Sequence, residues 1–373
     1  METFLLILVI VCACWFIAKL FGRRKEDGYD RGSSYNRNTR AHNRYSTPQQ
    51  EPKTKKSNSF LRFFEYQPHV SFDNEAIVWC ANFLSIEEKQ LRSILKELPY
   101  QYKFFSIRKR SGGRRVISAP KQQLLAVQQT IYRRILLPVP VHPAATGFRQ
   151  NISIVHNAQP HLGKNQMLKT DIRDFFGSIK RRTVVKTFKT IGYPTNVSKV
   201  LAELCCYARC LPQGAPTSPA LSNIIAYEMD KKLQALSDEF NLIYTRYADD
   251  LTFSGDVISP DILPRIAEIL QESRFVLKAT KTRFIPENKR KIITGVSISS
   301  GYKLTIPKAK KRELRKNIHY ILTKGLAEHQ RYIGSTDSFY LKRTIGYLCY
   351  WLSVEPDNKY VQKSLSALRQ LMC

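Results

Sequence analysis

The chain is short of acid: it carries 30 Asp and Glu against 60 Lys and Arg, a net charge of +30 over 373 residues. An imbalance of that size calls for a polyanion or an acidic surface nearby, either nucleic acid or anionic membrane. The basic residues are spread along the chain rather than confined to one tail, which suits a groove that follows a phosphate backbone better than a merely solubilising surface. Paired cysteines are also missing. The eight cysteines include no Cys-x-x-Cys and no zinc-ligand spacing, which excludes the usual zinc modules and leaves ordinary reduced thiols of a cytosolic domain. Finally, Met1-Glu2-Thr3 has no basic side chain ahead of the apolar run Phe4 to Ala18, so that run lacks the charged start of a cleavable signal peptide.

The run gives way to positive charge at Lys19, Arg23, Arg24 and Lys25. About 20 apolar residues span a bilayer, and snorkelling of Lys19 extends this run toward that length. The positive-inside rule then keeps the rest of the chain in the cytoplasm. The expectation is a single-pass inner (cytoplasmic) membrane anchor, an N-terminal transmembrane helix over residues 1–22, with the catalytic domain in the cytoplasm. Residues 23–58 read as a flexible basic linker, polar and without apolar periodicity from Gly28 to Asn58.

The globular part begins with helical apolar spacing from Phe72 to Leu98, broken near Ser85, where Ser85 and Glu88 have capping-box spacing. Phe104 to Ile117 reads as strand, Gly112-Gly113 turn, strand, with five basic side chains around the turn. Such a hairpin either clasps phosphate groups or is a solvated loop. A helix follows Pro120 to about Leu137, and Met167 to Ile172 reads as a strand with an acid, Asp171, near its end. The stretch Leu211 to Pro219 stops regular structure, and a long apolar helix starts near Ser218. Two strands, 242–246 and 251–254, then flank Tyr247-Ala248-Asp249-Asp250. A helix from Pro260 to Ser273, short strands at 292–298 and 302–306, and a helical C-terminus complete an α+β core with an appended helical domain.

The adjacent carboxylates Asp249 and Asp250 carry the sharpest chemical signal. At a tight turn they either face solvent, since Asp is a favoured turn residue, or share a divalent cation with oxygen ligands and substrate phosphates. On the tetrapeptide alone both readings stand.

The ordered series Asp171 to Phe176, Leu211-Pro212-Gln213-Gly214, Tyr247-Ala248-Asp249-Asp250 and Lys281-Thr282 resembles the motifs of reverse transcriptases, from about Tyr102 to Ile306. Asn157-Ala158-Gln159-Pro160-His161 resembles the Asn-Ala-x-x-His motif of bacterial retron reverse transcriptases. Ile293-Thr294-Gly295 is similar to their Val-Thr-Gly triplet with Ile in place of Val. Lys278 stands where the motif ending in Lys281-Thr282 often has Asn, and the N-terminal anchor is not a usual retron feature.

The resemblance implies a right-hand polymerase fold, with fingers and palm over 59–306 and a helical, RNA-binding thumb over 307–373. It assigns Asp171, Asp249 and Asp250 as catalytic ligands of two Mg²⁺ ions, with Mn²⁺ as a substitute. Phe176 lies under the incoming sugar, where a large ring selects deoxynucleotides. Gln213 and Gly214 lie against nucleotide and template, Arg114 and Arg115 hold the triphosphate, and Lys281 serves the pyrophosphate leaving group. Asn157, His161, Thr294 and Gly295 bind RNA or have a structural role. The basic helix with Lys310, Lys311 and Arg315 grips an RNA duplex or is a solvated face. The implied partners are dNTPs, a structured non-coding RNA serving as template and primer, its branched RNA–DNA product, and an effector protein in anti-phage defence.

Overall fold

The computed structural model describes residues 72–109 and 112–372; the expected anchor and linker lie outside them. The chain divides into two compact units, 1–67 with 106–115, and 68–105 with 116–373. The described part of the first is the tip of a hairpin formed by β1 (Tyr102–Arg108) and β2 (Arg114–Pro120). Gly112 and Gly113 turn it with φ of +83° and +76°, and Arg114 and Arg115 are exposed at the start of β2.

The second unit opens with α1 (Asn74–Leu84) and α2 (Glu88–Lys96). Asp73 caps α1, its Oδ1 accepting from the Glu75 N–H at 2.8 Å. The expected capping box at Ser85 does not form. Ser85 instead ends α1 in the left-handed region (φ 57°), and Glu87 is the uncapped start of α2. In chain order there follow α3 (Gln122–Ile131), α4 (Ile154–Ala158), β3 (Gln166–Asp171), α5 (Phe175–Ser178), α6 (Arg181–Ile191) and α7 (Thr195–Cys205). The long helix expected from Ser218 is two, α8 (Thr217–Ile225) and α9 (Tyr227–Glu239), separated at Ala226.

A four-stranded antiparallel sheet positions the site. β4 (Ile243–Tyr247) and β5 (Asp250–Gly255) form its hairpin, and β6 (Arg283–Ile285) closes the order β4-β5-β3-β6. Met167, Leu168, Leu251, Phe253 and Tyr244 are buried in it. Helix α10 (Ile262–Glu272) packs with α9 beside the sheet.

The C-terminal part comprises the short pair β7 (Ile292–Ile293) and β8 (Val296–Ser297), then α11 (Lys308–Lys324), α12 (Leu326–Tyr332), α13 (Tyr340–Val354) and α14 (Lys359–Gln370). Its apolar core includes Ile293, Val296, Ile318, Leu348 and Trp351, and it runs into the sheet through Ala158 and Met167. The strand expected at 302–306 reduces to a single bridge, Ser297 with Thr305. Glu355 takes the Ile306 N–H (3.2 Å), so that backbone donor is not free to extend a ladder, and it also accepts the Thr305 hydroxyl (2.6 Å). Among the described residues, no helix is long and apolar enough to cross a membrane.

Candidate active site

Strand pairing brings the acids together. Asp171 ends β3 and sits directly opposite Asp250, the first residue of β5, while Tyr247 pairs with Asp250 from the other side. Ala248 and Asp249 are left as a two-residue turn, with Ala248 in the left-handed region at φ 58°. The Asp249 carbonyl accepts the Ile172 N–H at 2.9 Å, and the Asp171 carbonyl accepts the Lys278 N–H at 2.8 Å. The first bond ties the turn to the end of β3, and the second ties the segment carrying Lys278 to the same strand end.

A buried polar network holds the turn from within the fold. Arg246, wholly buried, donates to both carboxylate oxygens of Asp230 (2.7 and 2.6 Å), to Asn223 Oδ1 (3.1 Å) and to the Ala248 carbonyl (3.1 Å). The Tyr244 hydroxyl donates to the same Asp230 at 2.8 Å. Asn223 also donates to the Gly147 carbonyl at 2.8 Å. Gly147 lies so close to the turn that a Cβ there would stand 2.7 Å from the Ala248 nitrogen; only glycine permits this approach.

The three carboxylates form a cluster of negative charge that neighbouring lysines offset only in part. Burial, then the neighbouring Asp171 and Asp250, pushes the Asp249 carboxyl up to about 6. Burial also raises Asp250; Lys169 opposes the rise and Asp171 adds to it. Asp171 is 2% exposed, with Lys281 Nζ hydrogen-bonded to its Oδ2 and Lys278 Nζ 3.9 Å from its Oδ1. Burial alone would lower the Lys281 amine, but the Asp171 hydrogen bond and the surrounding carboxylates carry it above its ordinary value. Among the described residues, no three His, Cys, Asp or Glu side chains are drawn into a ready metal cage; a lysine ammonium occupies the place on Asp171 that a cation would take. An all-oxygen donor set in which burial and neighbouring carboxylates push Asp249 and Asp250 toward protonation fits a hard divalent cation.

Beside the turn lies an aromatic row. The Phe148 ring stands 6.3 Å from Tyr247 and 6.1 Å from Phe176, and Phe176 is 5.7 Å from the buried Phe175. Phe176 itself is half-buried. Gln213 and Gly214 dock on β2: the Gln213 carbonyl accepts the Ser118 N–H at 2.7 Å, and a Cβ on Gly214 (φ 130°) would stand 2.8 Å from the Ser118 oxygen. Asp174 and Asp256 are exposed.

Asn157 and His161 are enclosed, at 1% and 0% exposure. Asn157 accepts from the Thr146 hydroxyl (2.7 Å) and donates to Thr294 Oγ1 (3.3 Å). The His161 ring nitrogens bond Ser254 (2.7 Å) and Thr245 (2.8 Å), and burial pulls the imidazole down to about 3, so it is neutral. On α11, Lys310 pairs with Glu313 and lies 3.5 Å from the Tyr347 ring centre; Lys311 pairs with Glu355. Arg315 lies over Trp351 and Tyr360, and Lys308, Arg312, Arg315 and Lys316 form an exposed basic stripe.

Sequence reading did not single out Gly147, Phe148, Asn223, Asp230 or Arg246. The one signal for them is Arg246 itself, a charge within the apolar strand that leads into the turn.

A family model described as reverse transcriptase (RNA-dependent DNA polymerase) matches residues 107–321, which include all three acids. Retron Ec86 reverse transcriptase of Escherichia coli is 34% identical over 273 residues, spanning 70% of this chain and 85% of that protein. Retron Mx65 reverse transcriptase of Myxococcus xanthus is 34% identical over 246 residues, spanning 60% and 57%. Retron Ec73 reverse transcriptase of Escherichia coli is 29% identical over 300 residues, spanning 74% and 92%. The chain belongs to the reverse transcriptase family, in its bacterial retron branch, and is an RNA-directed DNA polymerase.

Proposed function

We propose that the chain copies an associated structured RNA into DNA at a centre made of Asp171, Asp249 and Asp250, which hold two Mg²⁺ ions or Mn²⁺ in their place. The observation that carries this reading is the direct pairing of Asp171 with Asp250, with Asp249 in the adjoining turn. The bound metal pair supplies charge stabilisation for the attacking and leaving oxygens of phosphoryl transfer. The carboxylates must be ionised to hold it, and Lys281 must leave Asp171 as they do. Its ammonium is then free to neutralise or protonate the pyrophosphate leaving group. Phe176 faces the sugar and excludes a ribose 2′-OH, Gln213 and Gly214 line the nucleotide and template, and Arg114 and Arg115 of the fingers hold the triphosphate. The palm is the four-stranded sheet, and the C-terminal helices are a thumb whose basic stripe meets RNA phosphates.

In this reading the RNA primes from a 2′-OH, the product is a branched RNA–DNA molecule, and the system acts in anti-phage defence with an effector protein. The apolar segment 4–18 tethers the enzyme to the inner membrane, with catalysis on the cytoplasmic side. Asp250→Asn tests the centre: with Mg²⁺, dNTPs and a primed RNA template, DNA synthesis should vanish while RNA affinity is kept. Retained synthesis would remove Asp250 from the metal site. Sequencing nucleic acid that copurifies with the protein tests the rest; a branched species supports it, and random cellular RNA does not.

A further inference from the structure

Two segments 137 residues apart meet through the bond from Asn157 to Thr294. On one side, the segment Asn157 to His161 grips the hairpin that carries Asp249 and Asp250. His161 bridges both strands, bonding Thr245 of β4 and Ser254 of β5. Asn157 accepts from the Thr146 hydroxyl at 2.7 Å, and the Thr146 N–H donates to the Arg246 carbonyl at 2.8 Å, with the hydroxyl oxygen 3.0 Å from the same carbonyl. On the other side, Thr294 (φ 45°) and Gly295 (φ 91°) form the turn between β7 and β8. The Tyr350 hydroxyl, on α13 of the C-terminal bundle, donates to the Gly295 carbonyl at 2.9 Å. The fit is close, since a Cβ on Gly295 would stand 3.1 Å from that hydroxyl oxygen. Burial pushes Tyr350 up to about 12, so it remains a donor across the working pH range.

Asn157 and His161 are sealed from solvent, and their polar groups are engaged within the fold. We propose that Asn157, His161, Thr294, Gly295 and Tyr350 form one strut fixing the C-terminal bundle to the catalytic hairpin, as positioning residues for DNA synthesis. The inference rests on reading the three acids as the polymerising centre and the bundle as the surface that grips the duplex. The strut fixes where a gripped primer end lies relative to the acids. Loosening it misplaces the reacting atoms without removing any group that touches nucleic acid.

The test uses the full-length protein on an annealed RNA template and DNA primer with Mg²⁺, measuring duplex Kd and kcat at saturating duplex. Thr294→Val and Tyr350→Phe each remove one strut bond. Each should lower kcat by roughly tenfold, the rate equivalent of one lost hydrogen bond, with Kd unchanged. Thr294→Ser keeps the hydroxyl and should retain wild-type kcat. Gly295→Ala should lose more than either, and adding Tyr350→Phe to it should recover part of the loss, because the crowded oxygen is gone. Weakened Kd with unchanged kcat would make these residues part of the RNA-binding surface and overturn the strut. So would wild-type behaviour of Thr294→Val and Tyr350→Phe, or additive losses in the Gly295→Ala, Tyr350→Phe pair. Asp250→Asn in parallel separates the premises: synthesis by that variant would mean that the metal centre, not the strut, is misassigned.

Discussion

Asp171 and Asp250 stand directly opposite one another on neighbouring antiparallel strands. Like charges in that relationship are unfavourable, by roughly 0.2–1 kcal/mol in an ordinary sheet. Here Asp249 adds a third carboxylate one residue away, and burial raises the cost of keeping Asp249 and Asp250 charged. The fold therefore stores a repulsion that the lysines at Asp171 offset only in part.

Stability without divalent ions should report that repulsion. The Asp249 carboxyl titrates near 6 in the folded chain, above its ordinary 3.8. Its protonated form favours folding below about pH 4, and that contribution is lost as pH rises through 6. Asp249→Asn removes the loss. The variant's thermal midpoint should exceed wild type at pH 8 in chelator, converge with it toward pH 4, and lose its advantage in added Mg²⁺. Equal midpoints at pH 8 would mean that Asp249 is not repelled.

The same titration shapes the rate. In the proposed centre protons and Mg²⁺ compete for the carboxylates, so kcat/KM should fall on the acid side with a midpoint near 6 at low Mg²⁺. Raising Mg²⁺ should move that limb to lower pH. A limb fixed in position across a wide range of Mg²⁺ concentration would dissociate it from metal binding.

The pair Arg246 and Asp230 supports the turn through the Ala248 carbonyl. Asp230→Ala leaves the guanidinium buried and unpaired and should cost about 3–5 kcal/mol in urea unfolding. The double replacement Arg246→Met with Asp230→Leu should recover most of that stability. DNA synthesis should nevertheless stay low in the double variant, because the Ala248 carbonyl has lost its donor. Full activity there would show that the network serves stability alone.

Much of this site could be read from the order of residues, because its acids sit at strand ends whose alternation and turn chemistry are local. The strands around Tyr247 to Asp250 extend one residue beyond their expected bounds toward the turn, and the Asp171 strand ends on the acid itself. Two kinds of feature escaped. Ser85 and Glu88 have the spacing of a cap, but the left-handed residue that ends α1 uses Ser85 first. Arg246 and Asp230 are 16 positions apart and Gly147 and Ala248 about 100, and only the folded chain brings them together. The bond from Asn157 to Thr294 is of the same kind: each motif could be recognised alone, but not their contact.

Phe176 offers a test of substrate choice that is independent of the metal. Its ring is held between Phe148 and Phe175, which limits its freedom to swing away from an added 2′-hydroxyl. Steric discrimination in such a pocket is worth about 1–3 kcal/mol, or roughly 10–200-fold. Phe176→Val should raise kcat/KM for ribonucleotides relative to deoxynucleotides by a factor in that range, with deoxynucleotide kcat only modestly reduced. Phe148→Leu removes one of the supporting rings and should relax selectivity in the same direction by less. Single-nucleotide extension with matched ribo- and deoxynucleotides measures both. An unchanged ratio in Phe176→Val would place the ring in the core rather than under the sugar.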